Sequence, residues 1–163
     1  MLSPYSALSL LPFALAIGIW VSWSDMKFMK IPNKAVMAMA AVWLVVGILT
    51  VPFQLWLWAW VLGAAVLAIG FIANAINLVG AGDAKFAAAM APVFIRADWG
   101  VVLPLFAACL LGAFVAHRLA GRINFIRNAT ADWASWTNKD FPMGLALSGT
   151  LIFYLLALVR PLL

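Results

Sequence analysis

Six apolar runs separated by short polar segments constrain the fold of this chain more than any other feature. Hydrophobic residues make up 67% of the sequence and charged residues only 9%, whereas a soluble domain carries about 25% charge. A helix that crosses a bilayer needs about 20 apolar residues. We therefore predict an all-α, polytopic membrane protein of about six transmembrane helices, with one domain over residues 1–163. The runs cover approximately Tyr5–Trp23, Lys34–Thr50, Leu55–Val79, Asp83–Ile95, Val101–His117 and Met143–Val159.

The distribution of lysine and arginine predicts the orientation of these helices. If the N-terminus lies outside, eight of the ten basic residues fall on the inner side, as expected for loops that face the cytoplasm. Only Arg96 and Arg160 fall outside. The net charge of +5 then indicates membrane topology and contact with anionic membrane lipids. No nucleic-acid partner is expected.

Two aspartates, Asp25 and Asp83, are the leading candidates for a catalytic site. Each lies at the end of a long apolar run, where a carboxylate is costly unless it is paired or used. The predicted topology brings both to the inner face. Two neighbouring carboxylates cannot easily both be ionised, so one shared proton would allow general acid/base attack by water. Asp132 and Asp140 are expected to be solvated or paired with basic residues instead.

The residues that flank Asp83 are candidates for supporting roles. Gly80 and Gly82 precede it, and glycine adopts backbone angles closed to other residues and lets another chain approach. A plain turn between helices is the alternative, because glycine commonly ends helices. Lys85 either acts on Asp83 or the substrate, or anchors its helix at the lipid headgroups.

Other polar residues near the inner face have two interpretations each. Asn33 follows Pro32 and either caps the second helix or contacts the site. Asn74 and Asn77 share a helical face, where they either orient the glycine turn or join helices through hydrogen bonds. The single histidine and single cysteine cannot form a zinc motif, so no metal site is expected.

Beyond the fifth run, a polar stretch carries Ile123, Ile126, Trp133 and Trp136. Their spacing places them close to one helical stripe. This pattern predicts an amphipathic helix that lies in the inner membrane interface.

The segments Asp25–Asn33 and Gly80–Lys85 together resemble the type IV prepilin peptidase family, whose members are membrane aspartic proteases with a Gly-x-Gly-Asp signature. The Ile31–Asn33 match is specific, because presenilin-like proteases that share Gly-x-Gly-Asp lack it. A third, partial match is Phe141–Gly144 at the start of the last helix, where Met143 replaces an aromatic residue often found in the family.

The resemblance implies an aspartic endopeptidase in the bacterial inner membrane, with Asp25 and Asp83 as its catalytic residues. Such an enzyme removes the short basic leader of a prepilin after a glycine, at the cytoplasmic face, while the apolar helix of the prepilin lies among the enzyme's helices. No metal or organic cofactor is implied. The chain starts at its first helix and has one cysteine, which resembles the short form associated with Flp pili and Tad secretion. N-methyltransferase activity is therefore not assigned.

Two other classes of function remain open from the residues alone. A small ion- or proton-coupled transporter also uses paired membrane aspartates, although it would hold them near the bilayer midplane. A non-catalytic assembly subunit would tolerate asparagine at both positions. The sequence predicts no oligomeric state.

Overall fold

The computed structural model describes residues 1–162, which form seven α-helices and no β-strand. Helix α2 contains one π-helical turn, Trp43–Gly47, and short 3₁₀ turns lie at Ala91–Phe94, Ala134–Trp136 and Arg160–Leu162. The predicted all-α fold is confirmed. The helices are Pro4–Phe28 (α1), Asn33–Thr50 (α2), Phe53–Ala75 (α3), Ala81–Met90 (α4), Trp99–Ala120 (α5), Asn124–Ala129 (α6) and Gly144–Val159 (α7).

Five of these helices, namely α1, α2, α3, α5 and α7 with its 3₁₀ extension, are long and apolar enough to cross a membrane. The protein is thus a multi-pass membrane protein. Helix α4, in the fourth predicted run, has only 10 residues. The chain after α4 nevertheless continues towards the opposite end of the bundle. Arg96, which follows α4, lines a cavity at that end together with Met1 and Gln54.

The two ends of the bundle differ in their polar residues. Asp25 in the last turn of α1 and Asp83 in the first turn of α4 lie at one end, which we call the aspartate end. The loops that join α1 to α2 and α5 to α7 lie there too, with the basic residues predicted to share one side. Arg96 and Arg160 follow helices that run away from this end.

Small residues allow the helices to pack closely, as expected where lipid rather than water surrounds them. A Cβ atom added at Gly18 of α1 would lie 2.9 Å from Cδ1 of Ile152 on α7. One added at Gly70 of α3 would lie 2.8 Å from Cβ of Ala84 on α4. These contacts fix α7 against α1 and α4 against α3, and they thereby position the elements that carry the polar site.

The segment between α5 and α7 does not form the predicted amphipathic helix. Helix α6 has six residues and excludes Ile123, while Trp133 immediately precedes a separate 3₁₀ turn that contains Trp136. The indole N–H of Trp136 donates to the backbone oxygen of Thr130 at 2.8 Å. This bond folds the segment back on itself, so the apolar stripe cannot continue along one helix axis.

Candidate active site

Asp25 lies in the last turn of α1. Helix α1 terminates because Met29 adopts a left-handed conformation with φ 52°, and its N–H donates to the backbone oxygen of Asp25 at 2.8 Å. The neighbouring Ser24 hydroxyl donates to the backbone oxygen of Lys30 at 2.9 Å. Only 5% of the Asp25 surface is exposed. A carboxylate buried to this extent requires a hydrogen-bond donor.

The start of α7 supplies that donor. The backbone N–H of Gly144 donates to Oδ2 of Asp25 at 2.7 Å in a buried position, and it is one of the first N–H groups of a helix, which have no partner within the helix. A Cβ added at Gly144 would lie 3.0 Å from both Cβ and Oδ2 of Asp25, and 3.1 Å from Cγ1 of Val21. The approach of α7 to Asp25 therefore leaves little room for a side chain.

Asp83 lies in the first turn of α4, after Gly80, and is partly buried. Burial raises the pKa of Asp83 to about 6; the negative charge of Asp25 adds to this rise, and the backbone amide of Gly80 opposes it. Asp83 is therefore able to hold a proton at a pH where an ordinary aspartate is ionised.

Both aspartates line the same two cavities. The larger, of about 750 Å³, also has walls from the end of α3 and from the segment before α7. The smaller, of about 300 Å³, lies against the loop before α2 and the start of α4. The residues that line the larger cavity are Asp25, Met29, Asn74, Asn77, Leu78, Val79, Gly80, Asp83, Leu110, Lys139, Asp140, Phe141 and Met143. Both cavities are therefore bordered by both aspartates.

The two glycines before Asp83 provide space and do not adopt unusual backbone angles. No glycine in residues 1–162 has a positive φ, so the expectation of special angles at Gly80 and Gly82 is wrong. A Cβ at Gly80 would lie 2.5 Å from Oδ2 of Asp83, and a Cβ at Gly82 would lie 3.3 Å from Cβ of Ile31. Gly80 leaves room for the carboxylate, and Gly82 leaves room for the loop before α2.

The loop before α2 contacts α4 at its polar surface. Pro32, not Asn33, is the residue that caps α2, and Asn33 is the first helical residue, with no side-chain capping bond. The Oδ1 atom of Asn33 lies 3.5 Å from Nζ of Lys85, at the outer limit for a hydrogen bond. Both residues line the smaller cavity with Asp83. Lys85 thus lies beside the site without an ion pair to either candidate carboxylate.

Asn74 and Asn77 shape the loop that leads to Asp83. The Nδ2 group of Asn74 donates to the backbone oxygen of Val79 at 2.8 Å. Asn77 adopts φ 58°, a left-handed conformation that asparagine tolerates better than most residues. Both line the larger cavity. Asn74 thus orients the loop, whereas Asn77 lies beyond the end of α3 at Ala75, so the prediction that the two share a helical face is wrong.

Sequence reasoning missed the contribution of the segment before α7 to the site. Lys139, Asp140, Phe141 and Met143 line the larger cavity, and Gly144 reaches Asp25 directly. The available signal was the partial family match over residues 141–144. Asp132, in contrast, pairs with Lys27 at 3.1 Å, in agreement with the prediction that it pairs with a basic residue.

The sequence pattern of the type IV leader peptidase family matches residues 12–117 of this chain. The chain belongs to that family. The matched range includes both cavity aspartates and ends before the segment that carries Gly144. The family assignment makes the protein a membrane peptidase and confirms the predicted family. Neither a curated protein nor a solved structure gives a significant match to this chain.

Proposed function

We propose that this membrane peptidase is an aspartic endopeptidase that removes the short basic leader of a type IV, Flp-like prepilin. In this proposal Asp25 and Asp83 form the catalytic pair, and the reaction takes place at the cytoplasmic face of the bacterial inner membrane. The observation that carries the proposal is that both carboxyl groups line the same two cavities at one end of the helix bundle.

The electrostatics of the pair support acid/base chemistry. The pKa of Asp83 is raised to about 6, by burial first and by the charge of Asp25 second. At about pH 6 and below, one proton is then shared by the two carboxyl groups, as in other two-aspartate proteases. The apparent pKa values belong to the pair, so the acid and the base are roles of the pair rather than of one fixed residue.

The reaction follows from this shared proton. The ionised carboxylate accepts a proton from water, and the water oxygen forms a bond to the carbon of the scissile carbonyl. The protonated carboxyl donates its proton to the carbonyl oxygen, which gives a tetrahedral intermediate. Cleavage of the C–N bond then releases the amine, which takes up the proton that the first carboxylate accepted, while a hydroxyl group of the intermediate returns its proton to the second carboxylate as the product carbonyl forms.

The smaller cavity supports a site for the substrate backbone. It is lined by the backbone of Gly80 and Gly82 and by the side chains of Asn33 and Lys85. An extended peptide can align its main chain beside such a segment and expose its carbonyl groups. Lys85 then donates to a substrate carbonyl oxygen, while Asn33, which follows Pro32 at the start of α2, positions Lys85. Asn77 forms part of the wall of the larger cavity.

The basic residues at the aspartate end support the proposed orientation. Eight of the ten lysine and arginine residues lie at or near this end, and such residues concentrate on the cytoplasmic side of membrane proteins. A transporter would hold its carboxylates near the bilayer midplane, whereas Asp25 and Asp83 lie at a helix end and a helix start.

Co-expression with an Flp-like prepilin tests the proposal. Asp25→Asn and Asp83→Asn should each abolish leader removal, read as substrate size on a gel, while the enzyme still inserts into membranes. Asp98→Asn is the matched control, because Asp98 caps α5 by accepting the Gly100 N–H at 2.8 Å, and asparagine caps equally well. Leader removal that persists in either variant of the pair would overturn the proposed mechanism.

A further inference from the structure

A separate cavity, of about 450 Å³, opens between the end of α5 and the segment that leads to α7. We call it the basic pocket, because three arginines and a lysine line it: Arg118, Arg122, Arg127 and Lys139. The proposed peptidase mechanism uses none of these side chains. Four basic side chains around one cavity therefore indicate a role other than peptide cleavage.

The floor of the basic pocket is a packed polar and aromatic cluster. The buried His117 lies with Nε2 3.1 Å from Oγ of Ser135, which is also buried. The ring of Trp136 stacks on His117 with 4.6 Å between centroids. Gly121 permits this arrangement, since a Cβ there would lie 3.2 Å from the Trp136 ring. The pocket therefore has a fixed floor rather than a loose loop beneath it.

Two of the arginines are positioned by aromatic rings. The guanidinium carbon of Arg127 lies 5.2 Å from the centroid of the Trp136 ring, and that of Arg118 lies 5.2 Å from the Phe114 ring. Stacking of this kind orients the planar guanidinium group. The forked donors of arginine match the oxygens of a phosphate group better than a lysine ammonium does.

The protein offsets the positive charge of the basic pocket only in part. Within residues 1–162 the one ion pair joins Lys27 to Asp132, so none of the four basic residues has a carboxylate partner. Asp140 is the single acidic residue among the lining residues. Several like charges around one cavity repel one another and attract an anion.

The position of the pocket indicates where that anion comes from. It lies at the end of α5, a helix that spans the membrane, and both Val115 and Leu119 of that helix are exposed. Phe125 of α6 is 82% exposed. An acyl chain can therefore follow an apolar surface that ends at the arginines. Basic pockets at the cytoplasmic ends of membrane helices bind lipid headgroups in this manner.

We propose that the basic pocket binds the phosphate group of an anionic phospholipid. The pocket shares Lys139, Asp140 and Phe141 with the larger aspartate cavity, so a bound lipid contacts the segment that leads to Gly144. This lipid site does not depend on the proposed peptidase mechanism, because it rests on other residues and is tested by binding alone.

Lipid titration of the purified full-length protein in neutral detergent, followed by native mass spectrometry, tests the site. Phosphatidylglycerol, phosphatidylcholine and inorganic phosphate are the three probes. The wild type should retain one phosphatidylglycerol per chain, bind phosphatidylcholine at least about tenfold more weakly, and show no displacement by millimolar inorganic phosphate. Displacement by inorganic phosphate alone would identify a free-phosphate site and overturn the lipid assignment.

The matched variants are Arg118→Gln/Arg122→Gln and Lys30→Gln/Lys34→Gln. Each removes two exposed basic side chains at the aspartate end, but only the first pair lines the basic pocket. The arginine variant should bind phosphatidylglycerol about thirtyfold more weakly than the wild type, because two charge contacts are lost. The lysine variant should bind it with an affinity within about threefold of that of the wild type. Equal weakening in both variants would mean general surface attraction and would overturn the site.

Phosphatidylglycerol should also raise the melting temperature of the wild type but not that of the arginine variant.

Discussion

The backbone N–H of Gly144 donates a hydrogen bond of 2.7 Å to Oδ2 of Asp25, across 119 positions of sequence. This bond joins the first residue of α7 to the last turn of α1, and it holds one of the two cavity carboxylates in a fixed orientation. Charge-assisted hydrogen bonds from backbone amides are among the stronger polar contacts in proteins. The contact therefore couples the packing of α7 to the geometry of the site.

Gly144→Ala should reduce leader removal strongly. The added Cβ would lie 3.0 Å from Oδ2 of Asp25, so α7 must move back and the hydrogen bond must lengthen. We expect kcat to fall by about a hundredfold or more, as for other small displacements of catalytic groups, with a smaller change in KM. Cleavage kinetics of purified enzyme with a synthetic prepilin segment would measure both.

The control for this variant lies on the same helix. A Cβ at Gly149 would lie 3.6 Å from Sγ of Cys109, which is an ordinary contact distance. Gly149→Ala should leave kcat within about twofold of the wild type. Equal activity of the two alanine variants would contradict a positioning role for Gly144.

Gly80→Ala should lower the activity of the enzyme without lowering its stability. Its Cβ would lie 2.5 Å from Oδ2 of Asp83, and the flexible carboxylate can rotate away at little cost in stability. That rotation moves a proposed catalytic oxygen, so cleavage should fall by at least about tenfold while the melting temperature changes little. In Gly82→Ala the Cβ would meet Ile31 at 3.3 Å, and a small shift of the loop should preserve most activity. A larger loss of activity in Gly82→Ala would refute this explanation.

The raised pKa of Asp83 predicts a pH-dependent effect of Asp83→Asn on stability. The pKa is about 6 in the folded protein against an ordinary value of 3.8, so the folded state binds the proton more tightly than the unfolded state. The favourable contribution of this group is complete below about pH 4 and is lost as pH rises through 6. The variant should match the wild type near pH 4 and melt at a higher temperature above pH 7. Thermal unfolding in detergent from pH 4 to 8 would measure this, and a constant difference would contradict it.

The ion pair between Lys27 and Asp132 should contribute little to stability. The two side chains lie 3.1 Å apart and are 29% and 65% exposed, and exposed pairs contribute about 0–1 kcal/mol. Lys27→Gln should therefore lower the free energy of unfolding by less than about 1 kcal/mol, measured by denaturation in mixed micelles at low salt. A loss of several kcal/mol would show that Lys27 supports more than this pair.

Several local features of the site could be predicted from sequence. Asp25, Asp83 and the two glycines just before Asp83 stand out because polar residues and chain breaks interrupt apolar runs. The roles of individual residues were less predictable. Asn33 is the first residue of α2 rather than its cap, and the polar stretch after α5 forms a folded segment rather than one helix, because tertiary contacts outweigh local propensity.

The sequence by itself determined the membrane class, the positions of the long helices and the family. Hydropathy and short motifs are properties of residues that lie close together in the chain. Only the tertiary structure decided that Gly144 contacts Asp25, that Gly80 makes room for Asp83, and that four basic residues surround one pocket. Such contacts join distant parts of the chain, and they depend on how closely small residues such as Gly18 and Gly70 let the helices pack.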